Sequence, residues 1–428
     1  MADDKLQEYQ CPNCGGPLEF HGDVQKMVCV YCDAQFEMSQ FNQDSPKVGD
    51  EQPTHWEQAQ SQQLEAGAAG MKEFQCNACG AVMVSDGQVG ATECPYCGNP
   101  AILESTFEGI NLPDGIIPFV KSKQEAQDAM SGYYSGKKLL PSNFISDNRV
   151  EKIQGVYVPF WLFDCDVNGS AFYRAENRRT YSKGEERWEE IKEYAVSRSA
   201  VMRYEKVPAD GSKEMKDEYM DSLEPYNFSK IIPYQPAYFS GYLANKYDES
   251  ADDVKERVNR RIKNTSEQQI RDTVRGYDSV RTESSDIRIN SGKIRYCMLP
   301  VWMLTTRWNG ANYTFAMNGQ TGKVTGDLPV DNGKATKMFL LTSVIALAIL
   351  EALAYFIFCQ DEISIFALIG AAVIALIIGG VTVSSAKASM VSHLKTEAKE
   401  FLVKDSFRLT AQNDRHIDTR HRKISGGN

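Results

Sequence analysis

The 428 residues carry a net charge of −10, with 42% hydrophobic and 24% charged residues, enough chain for two or more domains. The charge is uneven: residues 1–105 hold four Lys, no Arg and 16 Asp/Glu, whereas residues 385–428 hold nine Lys/Arg against five Asp/Glu. An acidic N-terminal part is a poor ligand for nucleic acid, whose phosphates set most of the affinity, and residues 1–10, polar and acidic, do not read as a signal peptide.

Eight of the eleven cysteines fall into four C-x-x-C pairs. Cys11 and Cys14 are separated by 14 residues from Cys29 and Cys32, as Cys76 and Cys79 are from Cys94 and Cys97, and each cysteine of the first set recurs 65 positions later. Two C-x-x-C turns converging on one ion complete a closed tetrahedral site, so the spacing predicts two small β zinc ribbons, at 8–37 and 72–104, each with a structural Zn2+. A metal supplies the stability that so small a core lacks. Gly15, Gly16, Gly80 and Gly98 follow the cysteine turns, where a positive φ is often needed. A redox C-x-x-C needs an activated thiol in a thioredoxin-like context, which this sequence does not show. His21 and His55 are surplus to the tetrahedra and read as solvated, and Cys165, Cys297 and Cys359 read as buried hydrophobes. Residues 38–71, rich in Gln, Ser and Ala, read as a flexible linker with one short helix near 56–65, which makes the ribbons loosely tethered heads.

From 107 to 330 the composition shifts to aromatics, Pro and β-branched residues. The stretch from Val156 through Pro159 and Trp161 to Asn168-Gly169 aligns without gaps onto Cys297, Pro300, Trp302 and Asn309-Gly310, 141 positions later. Each reads as an apolar strand running into an Asn-Gly hairpin turn. A shorter echo, Ile116-Ile-Pro118-Phe119 against Ile231-Ile-Pro233-Tyr234, precedes helix-like runs. Val254, Val258, Ile262, Ile270 and Val274 recur at helical spacing over 251–275, and 180–207 alternates like two antiparallel strands. The expectation is an α+β antiparallel-sheet domain built from a pseudo-repeat, with helices on one side and its Trp and Tyr residues in the sheet core. No HExxH, GxSxG, Walker A or Rossmann fingerprint is present, and Asn318-Gly-Gln-Thr-Gly-Lys323 has the wrong spacing for a phosphate loop. No catalytic or cofactor-binding residues emerge, and the chain is not expected to be an enzyme.

Residues 338–359 contain one charge, Glu351, and residues 363–383 none. Each run is long enough as a helix to cross a hydrocarbon core of about 30 Å. Only Gln360, Asp361 and Glu362 separate them, so they predict a transmembrane hairpin. Lysines flank both outer ends and the turn's only charges are acidic, which places both termini in the cytoplasm by the positive-inside rule. Glu351 inside the first span is a functional candidate, with a hydrogen bond to the second helix or to another copy as the plainer reading. Gly370, Ala371, Ala372, Gly379 and Gly380 offer small residues for close packing, within the hairpin or in a homo-oligomer. Beyond it, 385–428 reads as a basic cytoplasmic tail suited to an anionic leaflet, with an amphipathic extension over 385–403 and disorder over 408–423.

The ordered set of the CPNCG ribbon, IIPF, GVYVPFWLFD, the segment from Asp221 to Tyr238-Phe-Ser-Gly241, LPVWML and MNGQTGKV resembles the bacterial membrane-anchored TFIIB-type zinc-ribbon-containing proteins, over about residues 8–390. Some of these are labelled as primosomal or phage replication proteins. The duplicated ribbon departs from the single one expected in many of them. The resemblance implies a partner-docking role at the membrane in envelope-stress response, beside phage-shock-protein-A-like and flotillin-like (SPFH) proteins. The leading expectation is a membrane-anchored scaffold or adaptor for cytoplasmic proteins. Its rivals are a replication-associated nucleic-acid-binding ribbon protein, and a membrane enzyme or transporter subunit using Glu351 or a middle-domain cleft.

Overall fold

A computed structural model describes residues 11–16, 18–21, 26–29, 31–36, 55–58, 63–64, 72–85, 93–99, 102–105, 110–144, 152–184, 186–234, 236–239, 241–357, 365–392 and 394–424. Strands β1 (Leu18–His21), β2 (Lys26–Cys29) and β3 (Gln35–Phe36) form the first ribbon, an antiparallel sheet with Leu18 opposite Cys29. The short helix expected near 56–65 does not form. Instead β4 (His55–Gln58) adds in parallel to a central strand at 291–294, and β5 (Gln63–Leu64) pairs with a strand at 110–111. The indole of Trp56 decides this: it packs edge-on against Phe163 at 5.0 Å and lies over Gly292, where a Cβ would come within 2.0 Å of the ring. Burying an aromatic ring on a sheet outweighs a weak local helix preference. The rest of the expected linker lies outside the described residues.

The second ribbon comprises β6 (Lys72–Cys76), β7 (Val82–Ser85) and β8 (Ile102–Ser105), with β6 in the middle. After β9 (Ile110–Asn111) and β10 (Gly115–Ile116) comes α1 (Lys123–Tyr133), opened by a capping box between Ser122 and Glu125 and burying Ala126 and Met130.

The long hairpin β11 (Gln154–Lys183) and β12 (Glu186–Asp210) follows, then α2 (Asp217–Leu223), β13 (Leu243–Asn245), α3 (Ala251–Arg271), β14 (Ser279–Trp308), β15 (Ala311–Asn318) and β16 (Val324–Gly326). The antiparallel pair foreseen over 180–207 is thus one end of a longer hairpin. Helix α3 carries its own capping box, Ser250 with Asp253, and buries Val254, Val258, Ile262 and Ile270 as the spacing predicts. Trp161 and Trp302 are buried, as are Cys165 and Cys297. Asn309-Gly310 makes the expected turn, with φ of 48° and 82°. Asn168-Gly169 does not: it lies mid-strand in β11, opposite Arg288 and Ile287. Its glycine lets α3 approach, since a Cβ there would sit 2.6 Å from Ile270 Cδ1.

Neither ribbon hangs free among the described residues. β13 bridges the second ribbon into the central sheet, pairing with β11 at Val156–Leu243 and with β7 at Ala244–Val84. The first ribbon lies on the arm formed by β14, β11, β12 and a C-terminal strand. Tyr31 packs edge-on against Phe172 at 4.6 Å and donates its hydroxyl hydrogen bond to Glu283 at 2.8 Å.

Helices α4 (Asn332–Ile357) and α5 (Ile365–Ala388) are each long and apolar enough to cross a membrane. They meet along a seam of small residues, with Ser343, Ala346, Ala375 and Gly379 buried. Gly379 is where the backbones come close, whereas Gly370 and Gly380 face open space. The expected turn, with Cys359, lies outside the described residues. Glu351 is exposed on α4 and has no hydrogen-bond or ion-pair partner among the described residues, so the anticipated bond to the second helix is not made.

Leaving α5, the chain is stapled to the sheet: Leu328 N donates to Met390 O at 2.8 Å and Ser392 N to Asp327 Oδ1 at 3.0 Å. It then crosses α3 as an irregular strap. Arg261, 2% exposed, donates to Glu224 at 3.0 and 2.7 Å, to Pro208 O at 3.1 Å and to Glu397 O at 3.1 Å. Lys395 N donates to Asp221, and Ala398 N to Thr265 Oγ1 at 2.7 Å. The amphipathic extension expected over 385–403 therefore ends as helix at Ala388.

The tail expected to be disordered is a strand, β17 (Arg408–Ile424), antiparallel to β12 from Val201–Arg408 to Arg187–Ile424. Its cations meet the acids of the arm: Arg420 with Glu193, Arg422 with Glu189, Lys423 with Glu186. Arg198 reaches across from β12 to Asp414. Cross-strand charge pairing, for which β12 supplies the acids, replaces the apolar alternation that would have marked this strand in the sequence.

Candidate metal centres

Each ribbon gathers its four cysteines because its turns share one backbone pattern. The amide four residues after a knuckle's first cysteine, at Gly15, Asp33, Gly80 and Gly98, donates to the carbonyl of Cys11, Cys29, Cys76 and Cys94 at 2.7, 3.0, 2.9 and 2.8 Å. All four donors have positive φ, between 59° and 83°. Glycine holds this position in three knuckles, as expected; the fourth uses Asp33, because a short polar side chain tolerates the left-handed region. Gly16 instead keeps room for Tyr31, whose Cδ2 would lie 2.9 Å from a Cβ there.

The structure brings all eight predicted ligands together as two sets. Cys11, Cys14, Cys29 and Cys32 form one, and Cys76, Cys79, Cys94 and Cys97 the other, with the sulfurs of each set within 4.8 Å of one another. The shortest contacts are Cys14–Cys29 at 3.4 Å and Cys11–Cys32 at 3.6 Å, then Cys76–Cys97 at 3.6 Å and Cys79–Cys94 at 3.7 Å. A tetrahedron with metal–sulfur bonds of about 2.3 Å has edges of about 3.8 Å, so both sets fit a four-coordinate ion. None of these cysteines is in a disulfide. With four protein ligands apiece the sites are closed, leaving no position for a reacting water. Burial raises the thiols of Cys29 and Cys79 to about 11, so metal binding there displaces protons.

Burial is asymmetric. Cys11, Cys29, Cys76 and Cys94 are buried towards the protein, whereas Cys32 and Cys79 are exposed. Tyr31 and Tyr96 occupy the same knuckle position 65 residues apart, and both are buried. Tyr31 anchors through Glu283; the carbonyls of Pro95 and Tyr96 accept from Thr305 Oγ1 at 2.8 and 3.1 Å, and Cys97 O accepts from Asn312 Nδ2 at 3.1 Å. Sequence reasoning passed over these tyrosines, although the same 65-residue recurrence that marks the cysteines also marks them. Beside the second cluster opens a groove of about 670 Å³ lined by Glu93, Asn99, Lys152, Arg307 and Asn312 among others. The side chains of His21 and His55, expected to be solvated, lie outside those described. Asn318 closes the MNGQTGK turn, accepting from Gln320 N and Thr321 N at 2.9 Å each and donating to Leu223 O at 3.1 Å, so this stretch is a structural turn.

No family model matches the chain, and no solved structure matches it. It is 34% identical over 335 residues to Uncharacterized protein YdjG of Bacillus subtilis (strain 168), an alignment spanning 77% of this chain and 92% of that protein. The chain belongs to the family of that Bacillus subtilis protein.

Proposed function

We propose that this protein is a non-enzymatic, membrane-anchored scaffold whose two ribbons, each closed by Zn2+, dock cytoplasmic proteins at the inner leaflet. One observation carries the reading. In each ribbon half of the cysteine cluster is packed onto the sheet while the other half faces outward, and that same sheet continues into the two apolar helices. Such an arrangement presents a rigid surface to a partner at a fixed distance from a bilayer. The hairpin crosses the cell membrane twice, with both termini cytoplasmic, as the flanking lysines indicate. The resemblance to membrane-anchored TFIIB-type zinc-ribbon proteins favours a phage-shock-protein-A-like or SPFH-like partner and a role in envelope stress. Pairing of the basic tail with the glutamates of β12 leaves little free positive charge there for a nucleic acid.

The middle domain reads as two related halves. Val158 faces Leu299 across the β11–β14 ladder, and these residues are equivalent in the 141-residue echo. Ile116 and Ile232, from the shorter echo, exchange backbone hydrogen bonds at 2.9 and 3.0 Å.

Co-purification from membranes tests the scaffold. Full-length wild type and Cys76→Ser/Cys79→Ser are captured and their companions identified by mass spectrometry, with metal content measured in parallel. A membrane-remodelling or SPFH-like partner lost together with the second zinc is the expected result. An unchanged companion set after that zinc is gone would remove the docking role from this ribbon.

A further inference from the structure

The face of α4 turned away from α5 has a pattern of its own. Leu341, Val344, Ala348, Glu351 and Tyr355 follow one another at intervals of 3, 4, 3 and 4 residues and are all exposed. That spacing is the a/d seam of a left-handed helix pair. It is distinct from the seam made with α5, which runs through Ser343 and Ala346. Leu341 and Val344 are 62% and 64% exposed, so α5 leaves these two positions uncovered. Glu351 sits in it, in an otherwise uncharged run, with no partner among the described residues.

We infer that this stripe is the contact between two copies of the chain, paired through Glu351. The inference rests on the membrane reading above, because a carboxyl facing lipid is costly and calls for a polar partner at its own depth. A second copy supplies one automatically. Two chains inserted in the same sense and related by a twofold axis along the membrane normal place their Glu351 side chains at equal depth. A carboxyl in its acid form both donates and accepts a hydrogen bond, so Glu351 is complementary to its own image. Ala348, one turn away, keeps the helix surface low where the two backbones must approach. A single polar residue within an apolar seam also fixes register and the number of helices. The scaffold then presents its ribbons in pairs.

Photo-crosslinking of the full-length protein in membranes tests this, with benzoylphenylalanine placed at Val344 or Ala348 on the stripe and at Ile349 off it. The expected result is a covalent homodimer from 344 and 348 with little from 349. Glu351→Leu should lower the yield roughly threefold to tenfold, and Glu351→Gln less, because an amide also pairs with itself. Crosslinks to a different polypeptide, or to lipid alone, in a chain that resists carbonate extraction would overturn the pairing. So would an equal yield from 349. A chain released by carbonate would overturn the membrane reading first and the pairing with it.

Discussion

Arg261 on α3 and Glu224 form a two-pronged ion pair in the interior, 3.0 and 2.7 Å long, with the residues 2% and 1% exposed. The strap leaving the pair of apolar helices α4 and α5 closes over it: Glu397 O accepts from Arg261 Nε, and Lys395 Nζ lies 3.4 Å from Glu224. A pair so buried recovers little beyond its desolvation, but removing one member strands the other. Arg261→Ala should therefore cost about 3–5 kcal/mol in denaturant unfolding of the detergent-solubilised protein. Arg261→Met combined with Glu224→Leu should recover most of that loss. A single variant no less stable than wild type would mean that the strap does not hold this cluster closed.

Asp210 gives the fold a pH dependence. Its side chain is fully buried, and although Arg257 reaches Oδ1 at 2.9 Å, Oδ2 has no hydrogen-bond partner among the described residues. Burial pushes its carboxyl from 3.8 up to about 7, against the attraction of Arg257 and with repulsion from Asp217. The folded form thus holds a proton that the unfolded form releases. The associated stability is complete below about pH 4 and is lost as pH rises through about 7. Melting curves across that window should fall with pH. Asp210→Asn should flatten the slope without abolishing it, because burial also raises Glu224 to about 7. A slope identical in the variant would show that Asp210 is ionised throughout.

The two metal sites should not be equivalent. The second ribbon shares backbone ladders with the core through β7 and β13, whereas the first is held to the arm by side chains, chiefly Tyr31 and Asp33. Wild type should contain two zinc ions per chain, and each pair of Cys→Ser changes should remove one. Loss of the second should speed amide exchange at Ala244 and Asn245 in β13, while Cys11→Ser/Cys14→Ser should leave those amides protected. Equal effects from both would contradict the coupling that the sheet pairing implies.

What could be read from the chain alone was what repeats or runs long. The cysteine spacing grouped the eight cysteines into the two clusters that the fold assembles, the apolar runs placed α4 and α5, and periodicity placed α3. The misreadings occur where tertiary partners decide. Residues 408–424 carry no apolar alternation, and only the glutamates of β12 make them a strand. Trp56 is drawn into β4 by Phe163 and the vacant space at Gly292. Asn168-Gly169 has the same dipeptide as the true turn at Asn309-Gly310, yet it stays extended because Ile270 of α3 packs where a side chain would be. The cluster around Arg261 gave no local signal, since its members lie on α3, beside α2 and on the strap beyond the hairpin.

Gly379 tests whether the hairpin and the sheet behave as one unit. A Cβ at this position would meet Ser343 Oγ at 2.1 Å and Phe339 O at 3.1 Å, so α4 and α5 cannot keep their spacing around a larger residue. Both helix ends are tied to the sheet, through Leu328–Met390 and Thr325–Ser392, so a separation of the helices pulls on the strap that follows. Gly379→Leu should cost on the order of 1–3 kcal/mol from overpacking and raise tryptic cleavage at Lys395, Lys399 and Lys404. Gly380→Leu, facing open space, is the control and should be tolerated. Adding Ser343→Gly to Gly379→Leu should restore part of the resistance by vacating the site of the clash. If Gly379→Leu cleaves no faster than Gly380→Leu, the hairpin is mechanically independent of the strap, and the ties at Met390 and Ser392 bear no strain between them.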